Sequence, residues 1–179
     1  MKAANSAAFK VIYQAYADKM YYLCLRYLKE EADARDALQE SFIQAYQKIE
    51  SFQGKGSFEG WLRRIVVNKC LNMIRINSRK EAWFDQQSTV EDQAVEVRLD
   101  QVEAGRLSQI LFEAVSQLPD GYRAIVNLVL IEGYAHKEVS EMLGISESTS
   151  RSQLVRARTH LKQILIKLGV EEIAEHYYE

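Results

Sequence analysis

The stretch His136–Arg156, HKEVSEMLGISESTSRSQLVR, brings together a glycine, a serine suited to cap a helix, and a run of hydroxyls and guanidiniums. Its spacing predicts a short helix, a tight turn at Gly144 and a second helix capped by Ser146, the arrangement of a helix-turn-helix. Val139, Leu143, Ile145, Ser150 and Leu154 fall where the two helices would meet. Ser148, Thr149, Arg151, Ser152 and Arg156 fall away from the Leu154 and Leu161 side. Hydroxyls and guanidiniums on the leading half of a helix can reach base edges and phosphates in a major groove, so the chemistry expected here is duplex readout.

A second group has a different character. Trp61, Arg64, Asn68, Asn72, Arg75 and Arg79 recur at spacings of three and four, which places an indole, two amides and three guanidiniums along one helical stripe. The preceding segment, SFQGKGS over 51–57, supplies Phe52 and Lys55 and leads into Phe58. Together these residues suit the rim of a pocket for an unstacked base. A solvated basic face has the same spacing, and Trp61 is expected to be buried rather than to stack on a base.

Both groups need helices to carry them. Phe9, Ile12, Tyr13, Tyr16, Met20, Leu23, Cys24 and Tyr27 predict an amphipathic helix over about 6–29 with Ser6 as its cap. A second helix, about 31–49, puts Ala34, Leu38, Phe42, Ala45 and Ile49 on its buried face. Its outer face keeps Asp36, Gln39, Glu40 and Gln44 for a partner, with Asp36 and Glu40 on the solvent side. The glycine-bearing loop follows, then a helix from Phe58 to about Arg79. From about Glu81 to Leu99 the apolar periodicity fades into Gln, Ser, Thr and acids, which reads as a flexible linker. Periodicity resumes at Leu107–Leu118, breaks at Pro119-Asp120-Gly121, and returns at Tyr122–Leu130, His136–Leu143 and Ser146 to about Leu168. In the last of these, Leu154, Ala157, Leu161, Leu165 and Leu168 point inward. The prediction is an all-α chain of two helical domains, with no strand.

Composition agrees. One Pro and eight Gly in 179 residues favour long uninterrupted helices. No apolar run is long enough for a membrane span or a signal peptide, so a cytoplasmic chain without membrane insertion is expected. Cys24 and Cys70 stand at apolar helical positions without ligand spacing and are expected to be buried free thiols. His136, His160 and His176 share no spacing with acids or thiols that would hold a metal, and no nucleophile triad or phosphate loop is present. The chain is therefore read as no enzyme, with neither cofactor nor metal, and His136 as an exposed residue at a helix start.

The formal charge of −2 conceals a segregated layout. Residues 58–80 hold six bases against Glu59, and residues 147–168 hold five against Glu147. Between them, residues 85–103 hold six acids against Arg98, and residues 30–40 hold five against Arg35. Such alternation suits a chain that meets a polyanion at two places and a protein at a third.

Phe9–Tyr16, Ala32–Phe42 and Trp61–Asn68 resemble the second conserved region of extracytoplasmic-function (ECF) sigma factors of bacterial RNA polymerase, and Leu118–Arg158 resembles their fourth region. The resemblance spans nearly all of residues 6–168 in the family's order, with a linker between. It implies that residues 1–80 form sigma region 2, 81–104 an acidic linker, 105–170 sigma region 4, and 171–179 an acidic tail. It implies further that the helix bearing Asp36, Gln39, Glu40 and Ile43 docks on the clamp helices of core RNA polymerase. By the same likeness Phe52, Lys55, Trp61, Arg64, Asn68, Asn72, Arg75 and Arg79 would bind the minus-ten promoter element. Ser148, Thr149, Arg151, Ser152 and Arg156 would read the minus-thirty-five element, and an anti-sigma factor would be a further partner. Ser150 stands where the family frequently has valine. The alternative reading is a helix-turn-helix regulator that acts on duplex DNA without polymerase.

Overall fold

The structure, a computed structural model, describes residues 2–78 and 106–170. All regular elements among the described residues are helical: α1 (Lys2–Leu28), α2 (Glu31–Gln47), α3 (Phe58–Ser78), α4 (Arg106–Ser116), α5 (Asp120–Val126), α6 (His136–Leu143) and α7 (Glu147–Lys167). The chain separates into two compact units, 1–77 and 78–179. The expected linker, the tail from 171, and Arg79 lie outside the described residues.

In the first unit α1, α2 and α3 pack around Met20, Leu23, Cys24, Tyr27, Leu38, Phe42, Leu62, Val66, Cys70 and Ile74, all buried. Each buried aliphatic side chain contributes about 1.5–3 kcal/mol relative to exposure, which is why a three- and four-residue apolar spacing is sufficient to dictate these helices. Edge-to-face contacts of Phe9 and Tyr13 with Phe42, at 6.1 and 4.7 Å between centroids, fasten α1 to α2. Tyr16 meets Phe58 at 5.6 Å and fastens α1 to α3. Two boundaries differ from the sequence reading. The first helix starts at Lys2, so Ser6 is not its cap; an alanine-rich start has enough intrinsic propensity to carry the helix past a possible cap. The second ends at Gln47, and Ile49 belongs to a single 3₁₀ turn, Ile49–Ser51.

In the second unit α4, α5 and α7 enclose Ala114, Val115, Leu118, Tyr122, Val126, Ala157, Ile164 and Leu165. Leu161 and Leu168, expected inside, are half-buried, while Ile164 takes a fully buried place. The helix after Pro119 does not run on as an α-helix. It widens into a π turn over Asn127–Ile131, where buried Asn127 donates its amide to the Arg123 carbonyl at 2.9 Å. Arg123, 2% exposed, donates to the Leu118 carbonyl at 2.8 Å and to Asp120 at 2.7 Å, which locks the turn before α5. Burial lowers the pKa of this guanidinium, and the Asp120 carboxylate opposes that shift.

Candidate nucleic-acid interface

The helix-turn-helix is built as the residues dictate. Glu138 reaches back to accept from the Ala135 amide at 3.0 Å and so holds the start of α6. Gly144 closes α6 at φ +69°, a left-handed conformation that a side chain would strain. Its amide and that of Ile145 both return to the Ser140 carbonyl, at 2.9 and 3.1 Å. Ser146 then caps α7, accepting from the Thr149 amide at 3.0 Å. Val139, Leu143, Ser150 and Leu154 are buried between the two helices and Ile145 is half-buried.

His136 is a correction. It is half-buried rather than an exposed helix start, because its Nδ1 shares a 2.8 Å hydrogen bond with the hydroxyl of fully buried Ser150. A buried hydroxyl demands a partner, and the imidazole at the head of α6 supplies it.

The outer face of α7 presents Ser148, Arg151, Ser152 and Arg156 to solvent, with Thr149 half-exposed. The hydroxyls of Ser148 and Thr149 turn back to Ser146 Oγ, at 2.8 and 2.7 Å, so in the unbound chain they complete the cap. Ser152 donates to the Thr149 carbonyl at 3.0 Å, and Arg151 pairs with Glu147 one turn earlier.

In the first unit, Arg64, Asn68 and Asn72 form an exposed line along α3, and Arg75 is half-buried. Trp61 opens the stripe but tilts into a cluster with Phe52 and Phe58, at 5.5 and 5.4 Å between centroids, so it is half-buried among aromatic rings. Lys55 stands exposed in the loop between Gly54 and Gly56, both at positive φ. Glu59, at the head of α3, bonds Arg63 at 3.2 Å and Lys19 of α1 at 3.4 Å. The Arg63 hydrogen bond holds its carboxyl below the ordinary glutamate range, against the opposing effect of burial and with further help from Lys19.

Asp36, Gln39, Glu40 and Ile43 are exposed on α2. Glu40, expected to be free, is instead paired with Lys69 of α3. A polar groove of about 480 Å³ lies between these helices, lined by Glu40, Ile43, Gln44, Gln47, Asn68, Lys69 and Asn72. The outer face of α2 and the amide stripe of α3 thus meet along one groove. The sequence counts Lys69 only among the six bases of residues 58–80 and gives Gln47 no role, although the spacing Glu40, Gln44, Gln47 on α2 is a signal for it. Cys24 and Cys70 are buried free thiols, as expected.

Known proteins give the two units a common identity. Residues 12–80 match the family profile Sigma-70 region 2, and residues 108–161 match Sigma-70, region 4. The chain is 32% identical over 174 residues to the ECF RNA polymerase sigma factor SigW of Bacillus subtilis, covering 92% of both chains. It is 30% identical over 166 residues to the ECF RNA polymerase sigma-E factor of Haemophilus influenzae, covering 88% of this chain and 87% of that one. Against SigE of Mycolicibacterium smegmatis it is 35% identical over 161 residues, 87% of this chain and 61% of the relative. Among solved structures, it resembles in fold the sigma factor RpoE in complex with the anti-sigma factor NepR from Bartonella quintana, with a TM-score of 0.55 and 19% identity. That match covers 88% of this chain and 96% of the other. An amide-bearing helix in the first unit and a helix-turn-helix in the second are matched in the same order along nearly the whole length, and the chain belongs to the ECF RNA polymerase sigma factor family.

Proposed function

We propose that the chain directs core RNA polymerase to promoters by dividing DNA recognition between its two units. Residues 1–80 act as region 2, 81–104 as the linker, 105–170 as region 4, and 171–179 as an acidic tail. Asp36, Gln39, Glu40 and Ile43 offer the polymerase clamp helices an acidic, amide-bearing face whose charge complements a basic partner. Phe52, Lys55, Trp61, Arg64, Asn68, Asn72, Arg75 and Arg79 engage the minus-ten element as an opened strand, amides on base edges and cations on phosphates. Ser148, Thr149, Arg151, Ser152 and Arg156 read the minus-thirty-five element in the major groove, the first two after their hydroxyls leave Ser146. The chain performs no bond chemistry of its own and works in the cytoplasm alongside the polymerase. An anti-sigma factor, like the one bound to RpoE, would hold it inactive.

One observation carries this reading: two exposed surfaces of different chemistry stand on two separate units. Amides and an aromatic rim suit an unpaired strand, and a capped helix with two exposed arginines suits a duplex. The test is run-off transcription with core polymerase from a genomic promoter library, followed by the same promoters as pre-melted bubbles. Asn68→Ala with Lys55→Ala is expected to lose opening on duplex promoters and to regain part of it on bubbles, because flipping and unpairing cost a few kcal/mol. Arg151→Ala with Arg156→Ala is expected to gain nothing from the bubble. Equal rescue of the two variants, or promoter binding that ignores core enzyme, overturns the proposal.

A further inference from the structure

The groove between α2 and α3 holds one cation among the described residues that line it, Lys69, and that cation is engaged by Glu40. The two residues are 29 apart in sequence and cross from one helix to the other. Their exposures are unequal. The Lys69 side chain is 20% exposed and lies down in the groove, whereas the Glu40 carboxylate is 59% exposed on the rim. Lys69 lines the same groove as Asn68 and Asn72, the amides that α3 contributes to it. Paired, it adds no net charge to them, so an approaching phosphodiester meets a neutral, amide-lined channel. Unpaired, it would return a full positive charge to the same place on a stem flexible enough to follow a phosphate.

We propose that Lys69 is a DNA-phosphate contact held in reserve by Glu40, and that docking of a cationic partner on the Glu40 face releases it. Glu40 is exposed enough to exchange Lys69 for an incoming cation without opening the helix packing, and Asp36 and Gln39 on the same outer face extend the surface on which that partner would land. The identity of the docking partner rests on the polymerase reading above; the coupling of the two side chains does not. Exchange of one exposed ion pair for another sets the size of the device. Such pairs shift equilibria by roughly two- to fivefold, so polymerase docking should raise affinity for single-stranded DNA by about that factor through this pair. Linkage requires the reverse as well: DNA that takes Lys69 raises affinity for the polymerase by the same factor.

The test uses the full chain, a fluorescent single-stranded 15-nucleotide DNA of mixed sequence, and fluorescence anisotropy over a range of salt. Glu40→Gln is expected to bind the oligonucleotide roughly two- to fivefold more tightly than the parent without polymerase, with a salt slope steeper by about 0.7, the increment for one added phosphate contact on a single strand. Lys69→Gln is expected to bind no more tightly than the parent. The decisive comparison is Glu40→Gln made in the Lys69→Gln chain, where the gain should fall at least twofold below its value in the parent. An equal gain in both backgrounds means that Glu40 merely repels DNA, and it overturns the inference; so does the absence of any gain. Matching thermal melts of the variants establish that the fold is kept. Core polymerase is then added: parent and Glu40→Gln should converge in affinity. A parent chain that fails to bind core enzyme overturns the polymerase reading and the docking trigger with it, whereas normal core binding with an additive cycle overturns the Lys69 assignment alone.

Discussion

The hydrogen bond between His136 and Ser150 couples α6 to α7, the two helices of the helix-turn-helix, and its two ends are unequally replaceable. Ser150 is fully buried, so removal of its partner by His136→Ala strands a hydroxyl at a cost of about 1–3 kcal/mol. A helical serine can return its hydroxyl to the carbonyl four residues back, here Ser146, which brings the expected cost to about 1–2 kcal/mol. Ser150→Ala strands only a half-exposed imidazole nitrogen that water can reach, so it should cost about 0.5–1.5 kcal/mol. Because both changes delete one interaction, the double variant should be no worse than His136→Ala alone, a coupling of about 1 kcal/mol. The assay is amide hydrogen exchange on peptides spanning 136–157 in the intact chain, where 1–2 kcal/mol becomes roughly a 5- to 30-fold loss of protection. If α7 reads the minus-thirty-five duplex as proposed, affinity for it should fall in the same order, since this bond joins α7 to α6. Additive losses, or a larger loss from Ser150→Ala than from His136→Ala, would refute the reasoning.

Two further outcomes are expected. Arg156→Ala should weaken minus-thirty-five duplex binding by about 1–3 kcal/mol if its guanidinium reads a base, whereas Arg151→Ala should cost less, because Arg151 must first leave Glu147, a pair worth about 0.3–0.5 kcal/mol; electrophoretic titration at two salt concentrations separates the two, and equal losses count against the difference. Glu59 has its carboxyl pKa depressed in the folded state, so the stabilisation it provides is fully present above the unfolded glutamate pKa and is lost as pH falls through the lower folded value; thermal melts from neutral pH down through that range should show the parent losing stability more steeply than Glu59→Gln, and parallel profiles would contradict the assignment.

The helix-turn-helix was legible in the sequence because each of its parts is local. Gly144 for the left-handed turn, Ser146 for the cap and the Leu154, Ala157, Leu165 spacing each act within a few residues. The same holds for the exposed line Arg64, Asn68, Asn72, since three- and four-residue steps fix a helical face before any packing is known. What escaped depends on contacts between distant residues. A glutamate and a lysine 29 positions apart carry no sign that they will meet, and neither do His136 and Ser150. The π turn at Asn127–Ile131 escaped for a different reason. Tyr122, Ile125, Val126, Val129 and Leu130 fit an α-helical period equally well, and the ladder widens through a backbone bond, from the Glu132 amide five residues back to the Asn127 carbonyl at 2.8 Å, that no apolar spacing announces.

The two cysteines of the chain, Cys24 on α1 and Cys70 on α3, are both free, wholly inaccessible and in the first unit, and the hydrogen bond between their thiols, together with burial, holds Cys70 well above its ordinary pKa. A thiol-specific reagent can therefore react only when those helices part, and the second unit contributes no background signal. The labelling rate of the unmodified chain is thus a clock for opening of the first unit alone. Any ligand that closes that unit, whether core enzyme, an opened strand or an inhibitor, should slow the clock in proportion to its occupancy, while a ligand confined to the helix-turn-helix should leave it running at the same rate.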